Sequence, residues 1–156
     1  MCKITIDWSY PVDLDTASYE QNENTIGIYY ITRKFGNKVT DLYIKKTIGN
    51  SKSMLQCQRY FLPDTGQGKR QVRLGTIVKP DDLSEIEKIQ LIQEVESSLL
   101  YVMLDKLQCN KQIISNINIS DRHTILNTGY RGNIPEEIVF PEEYWIKKRK
   151  LDYNYT

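Results

Sequence analysis

The sequence predicts a small α+β domain, a three-stranded and mainly antiparallel sheet flanked by helices. Three observations predict it. Thr25 to Thr47, TIGIYYITRKFGNKVTDLYIKKT, alternates with period two on both sides of a turn. Arg70 to Lys79 alternates again. Ser84 to about Leu107 carries its aliphatic residues at helical spacing.

In the first stretch Ile26, Ile28 and Tyr30 alternate with Gly27, Tyr29 and Ile31, and Val39 to Lys46 alternates in turn. Phe35-Gly36-Asn37-Lys38 between them is a turn signal, because Gly and Asn tolerate positive φ. A hairpin folded there brings Tyr29 within about one residue of lying opposite Tyr43 or Ile44. The two tyrosines then become cross-strand neighbours at ~5–8 Å between Cβ atoms.

Beyond the hairpin, Gly49-Asn50-Ser51 reads as a turn and Lys52 to Phe61 as a short helix stopped by Pro63, with Arg59 on the flank of its apolar face. Asp64 to Lys69 is a loop without the GxxxxGK[ST] pattern of a phosphate-binding P-loop. The third strand places Val72, Leu74, Thr76 and Val78 on one face and Arg73, Gly75 and Ile77 on the other. Arg70 and Arg73 read either as a solvated strand face or as phosphate contacts.

In the long helix, Ser84 and Glu87 form a capping box. Ile89, Ile92, Leu99, Leu100, Met103 and Leu107 share one arc, and Glu96 falls in its middle. A carboxylate on an apolar face costs several kcal/mol unless it is paired or bound. Glu96 therefore pairs with a basic residue of the sheet, lines a cleft, or ligates a metal. Met1 to Asn24 reads as irregular, Ile113 to Ile119 as a short strand, and Asn127 to Pro135 as turn-rich. Tyr144 to Lys150 mixes aromatic and basic residues, as solvated tails and nucleic-acid contacts both do.

Composition bounds the function. One domain of 156 residues with 26% charged and 40% hydrophobic residues is ordinary for a soluble globular protein. The opening MCKITIDWSY has no long apolar run, so neither a signal peptide nor a membrane helix is expected. Cys2, Cys57 and Cys109 form no CxxC pair, which suits a reduced, cytoplasmic compartment. His123 is the single histidine and excludes a multi-histidine metal site. A net charge of +1 argues against strong non-specific nucleic-acid binding, though not against a local basic face.

Gly27-Ile28-Tyr29 followed by Tyr43-Ile44-Lys45-Lys46-Thr47 resembles the paired motif of the GIY-YIG nuclease superfamily, with Lys45 where the family has Gly. The resemblance covers Thr25 to about Asn110, leaving 111–156 as a C-terminal extension of the same domain. It implies a GIY-YIG-like fold and Mg²⁺- or Mn²⁺-dependent endonucleolytic cleavage of DNA. Tyr29 would act as general base or position water, with Tyr43 beside it. Arg59 would neutralise the scissile phosphate and Glu96 would ligate the metal. Lys45, Lys46, Arg70, Arg73 and Asn110 would contact nucleic acid, with Asn116 or Asn118 as substitutes for Asn110. Target choice would come from Asp64 to Arg73, the segment after Asn110, homodimerisation or a larger complex. Lys45 and Pro63 depart from the family pattern and favour a non-cutting, nucleic-acid-binding descendant. A protein-interaction domain using the 84–107 helix is the remaining alternative.

Overall fold

The computed structural model describes residues 2–16, 25–49, 68–103, 105–107 and 123–139. The expected Lys52–Phe61 helix and Ile113–Ile119 strand, the Tyr144–Lys150 tail, and Arg59, Asn110, Asn116 and Asn118 lie outside the described residues.

Ile4, Ile6 and Trp8 alternate with Thr5 and Asp7, and this period-two pattern makes strand β1 (Cys2–Trp8) in the segment expected to be irregular. A two-residue strand β2 (Val12–Asp13) follows. The hairpin forms as expected, with β3 (Ile26–Phe35) and β4 (Lys38–Ile48) turning at Gly36-Asn37. Gly36 takes φ 59°, the conformation its missing Cβ permits. Next come β5 (Lys69–Lys79), helix α1 (Glu85–Met103), β6 (His123–Gly129) and β7 (Glu137–Val139). At the start of α1 the capping box is closed: Glu87 N–H donates to Ser84 Oγ at 3.2 Å and Ser84 N–H to Glu87 Oε1 at 3.5 Å. None of the described helices is long and apolar enough to cross a membrane.

All the strands join one seven-stranded sheet of order β4-β3-β5-β1-β6-β7, with β2 paired to β5. This corrects the expectation of a small three-stranded sheet. The hairpin and third strand are there as the neighbours β4, β3 and β5, but β5 continues into β1, and β1 pairs parallel with β6. The physical reason is non-local pairing. Ile4 lies opposite Ile125, and no local pattern announces a partner that far along the chain. The stretch assigned to a C-terminal extension thus supplies two strands of the same sheet.

Each face carries its own apolar cluster. Ile4, Ile6, Trp8, Ile28, Tyr30 and Ile44 pack with Ile92, Val95, Leu99 and Met103 of α1. Tyr29, Ile31, Leu42, Val72 and Leu14 form the other cluster, with Tyr43 and Leu74 against it. Two glycines let the strands and their covering side chains approach closely. A Cβ on Gly75 would stand 2.8 Å from the Trp8 ring, and one on Gly27 only 2.5 Å from the Gly75 carbonyl oxygen. The glycine of the Gly27-Ile28-Tyr29 motif is thus required by backbone approach between β3 and β5.

Candidate nucleic-acid interface

Alternation along β3 decides the fate of the expected catalytic set. Tyr29 lies opposite Lys45, and Tyr43 lies opposite Ile31, so the tyrosines are diagonal neighbours on the face away from α1. Tyr29 is only 1% exposed. Glu96 is buried on the helix that covers the other face. Its carboxylate accepts the Lys46 backbone N–H of edge strand β4. The structure therefore brings Tyr29, Tyr43 and Lys45 together and holds Glu96 apart from them across the sheet.

Glu96 is the residue expected to ligate Mg²⁺. Its carboxylate is engaged by a main-chain donor, and among the described residues no group of three His, Cys, Asp or Glu could hold a metal. Glu96 fastens the helix to the sheet edge. Glu96→Ala should lower stability by about 1–3 kcal/mol, since it strands a part-buried donor. Glu96→Gln, which keeps an acceptor oxygen, should recover most of that in a urea melt.

Arg73 is also corrected. Expected to contact nucleic acid, it is instead buried. Its guanidinium donates to Thr32 Oγ1 at 3.0 Å and lies 5.6 Å from the centre of the Tyr30 ring. The Tyr30 hydroxyl donates to Asp41 Oδ1, while Asn133 Nδ2 donates to the same oxygen at 3.2 Å and to the Val39 carbonyl at 3.0 Å. Burial, then the Asp41 carboxylate, push the Tyr30 phenol far above its usual range. Burial pulls the Arg73 guanidinium below its own. This network of Tyr30, Thr32, Asp41, Arg73 and Asn133 had one sequence signal, an aspartate placed among the apolar residues of β4.

Beyond the buried network lies a cationic end of the sheet. Arg33 is directly opposite Arg70, and Lys34 directly opposite Lys69. Lys38 lies opposite Phe35, which is 56% exposed. By alternation, Lys34 and Lys69 share a face with Tyr30 and Arg73, and Arg33 and Arg70 share one with Tyr29 and Val72. Arg70 stands 3.7 Å from Asp15. Of the residues expected to touch nucleic acid, Arg70 belongs to this end, Lys45 and Lys46 lie further along β4, and Arg73 is sealed beneath the loop. Arg33, Lys34 and Lys38 were missed, and Lys69 was reached only within the Asp64 to Arg73 stretch, because only strand register brings them side by side. No protein-family pattern, curated protein or solved structure matches the chain, so its function rests on this geometry.

Proposed function

We propose that the chain binds DNA through the basic end of its sheet, using Arg33, Lys34, Lys38, Lys69 and Arg70 with Phe35 beside them. The observation that supports this most is the like-charge pair of Lys34 and Lys69 set directly across β3 and β5, with Arg33 opposite Arg70 beside it and Asp15 against Arg70. Such pairs destabilise a sheet. Strands ~4.8 Å apart hold these cations side by side, and a polyanion relieves the repulsion. With a net charge of only +1, binding depends on such a local basic face. The double variant Lys34→Glu/Lys69→Glu should weaken DNA binding at least tenfold at ~0.1 M salt and flatten log K against log salt by about two. Gel shifts across a salt series measure both. Unchanged affinity in the double variant rejects the interface.

A second reading, Mg²⁺-dependent endonucleolytic cleavage, is favoured by one observation. Tyr29, Tyr43 and Lys45 share a face. Plasmid DNA incubated with Mg²⁺ or Mn²⁺ tests it, with Tyr29→Phe and the fold-preserving Glu96→Gln alongside. Equal behaviour of wild type and both variants removes the assignment.

A further inference from the structure

Between β1 and β2 the chain departs from its ladder with β5. Trp8 pairs with Gly75 and Val12 with Val72, so Ser9, Tyr10 and Pro11 face only Arg73 and Leu74. Three residues against two make an outward bulge. Ser9 is pinned on both sides: its N–H donates to the Leu74 carbonyl at 2.9 Å, and its Oγ accepts the Leu74 N–H at 2.9 Å. The surplus is carried by Tyr10, which is 67% exposed.

Tyr130 meets it from the loop after β6. Its N–H donates to the Trp8 carbonyl at 3.0 Å. Gly129 enters that loop at φ 75°, where a Cβ would come within 2.6 Å of the Trp8 oxygen. The Tyr10 and Tyr130 rings stand edge to face, with centroids 5.0 Å apart and planes at 78°. Tyr130 is 55% exposed. Two tyrosines are thus fixed against each other by main-chain contacts while more than half of each stays in water.

We propose that Tyr10 and Tyr130 form a stacking platform for the unpaired bases of single-stranded DNA, which rests on the DNA-binding reading above. Two observations select this occupant. The platform lies beside Arg73 and Leu74, and Lys69 and Arg70 follow on the same strand about 10–17 Å away. The loop that carries Tyr130 also carries Asn133, which is bonded to the Val39 carbonyl next to Lys38. The aromatic pair and the cationic end therefore share strand β5 and the loop of Tyr130 and Asn133, with Asp13 and Asp15 on the neighbouring segment between them. Cations for the backbone beside fixed aromatic rings for the bases is the chemistry of a single-strand site. A duplex keeps its base faces stacked on each other and offers none to a tyrosine.

Fluorescence anisotropy of a labelled deoxythymidine oligonucleotide and of its duplex, with the full chain at matched salt, tests the proposal. The single strand should bind more tightly. Tyr10→Leu or Tyr130→Leu should each weaken single-strand binding about tenfold and leave duplex binding and the salt slope unchanged. Tyr130→Phe, which keeps the ring, should bind like wild type. Because both side chains are exposed, thermal melts of the variants should overlay that of wild type. If the leucine variants bind the single strand as wild type does, while Lys34→Glu/Lys69→Glu does not bind, the platform is refuted and the basic interface stands. If Lys34→Glu/Lys69→Glu also binds normally, both fall. Leucine variants that lose single strand and duplex equally also overturn the platform.

Discussion

Trp8→Ala should remove about 4–5 kcal/mol of stability, a large share of the ~5–15 kcal/mol typical of a folded domain. Three contributions add. The side chain is 1% exposed at the centre of the larger core, so its removal leaves a cavity in well-packed surroundings. Its ring meets Tyr30 edge to face at 6.0 Å, an arrangement worth about 0.5–1.5 kcal/mol beyond area alone. Its indole N–H donates to Asn127 Oδ1 at 3.0 Å, and that bond ties β1 to β6. Trp8→Phe separates these effects. It keeps a ring and surrenders the hydrogen bond, and should cost about 1–3 kcal/mol. Urea unfolding followed by far-UV circular dichroism gives both values. A loss below about 1 kcal/mol for Trp8→Ala would mean that the site relaxes around the gap, contrary to the packing described.

Asp41→Ala should cost about 3–5 kcal/mol. It deprives the Tyr30 hydroxyl and Asn133 Nδ2 of one shared acceptor and leaves the buried Arg73 charge without its nearby carboxylate. Asp41→Asn retains a carbonyl oxygen and should cost less. Arg73→Met should cost less again. The Arg73 Nε is buried without a partner, so part of what that side chain loses on burial is never recovered. The network also sets an alkaline limit. The Tyr30 phenol is raised above its unfolded-state value of ~10, so the folded state holds this proton more tightly. Its contribution is complete below pH ~10 and is lost as pH climbs toward the folded-state value. Phenolate absorbance during an alkaline titration should show a fraction resisting ionisation until the protein unfolds, and Tyr30→Phe should lower that fraction by one tyrosine. Ionisation of every tyrosine before unfolding would contradict the burial of Tyr30.

Local signals in the sequence reached local structure and stopped there. Gly36-Asn37 marked the turn, Ser84 and Glu87 marked the helix start, and alternation marked β3, β4 and β5. The odd placement of Glu96 was visible too, because helix periodicity put a carboxylate in the apolar arc, where the structure buries it. Its partner was not visible, since a main-chain N–H on an edge strand leaves no mark on side-chain pattern. Lys-Ile-Thr-Ile-Asp-Trp in β1 had the right period, but so short a run gives no hint that it lies in mid-sheet. Tyr29 and Tyr30 show the sharpest limit. They are adjacent in sequence and lie on opposite faces, and a motif read along the chain does not say which face the helix will cover.

The parallel pairing of β1 with β6 has a consequence for the order in which the protein is made. The Trp8–Asn127 bond closes a loop of 119 positions. Strand β1 therefore leaves the ribosome well before β6 and waits for one of its two neighbours until the intervening residues have followed. Contacts so far apart carry a large loop-closure cost, which places folding toward the slow, millisecond-to-second end of the range for single domains. During that wait β1 presents an open edge of Ile4, Ile6 and Trp8, a template for any other extended segment nearby. Nascent chains stalled before His123 should accordingly be the form most dependent on chaperones and the first to aggregate.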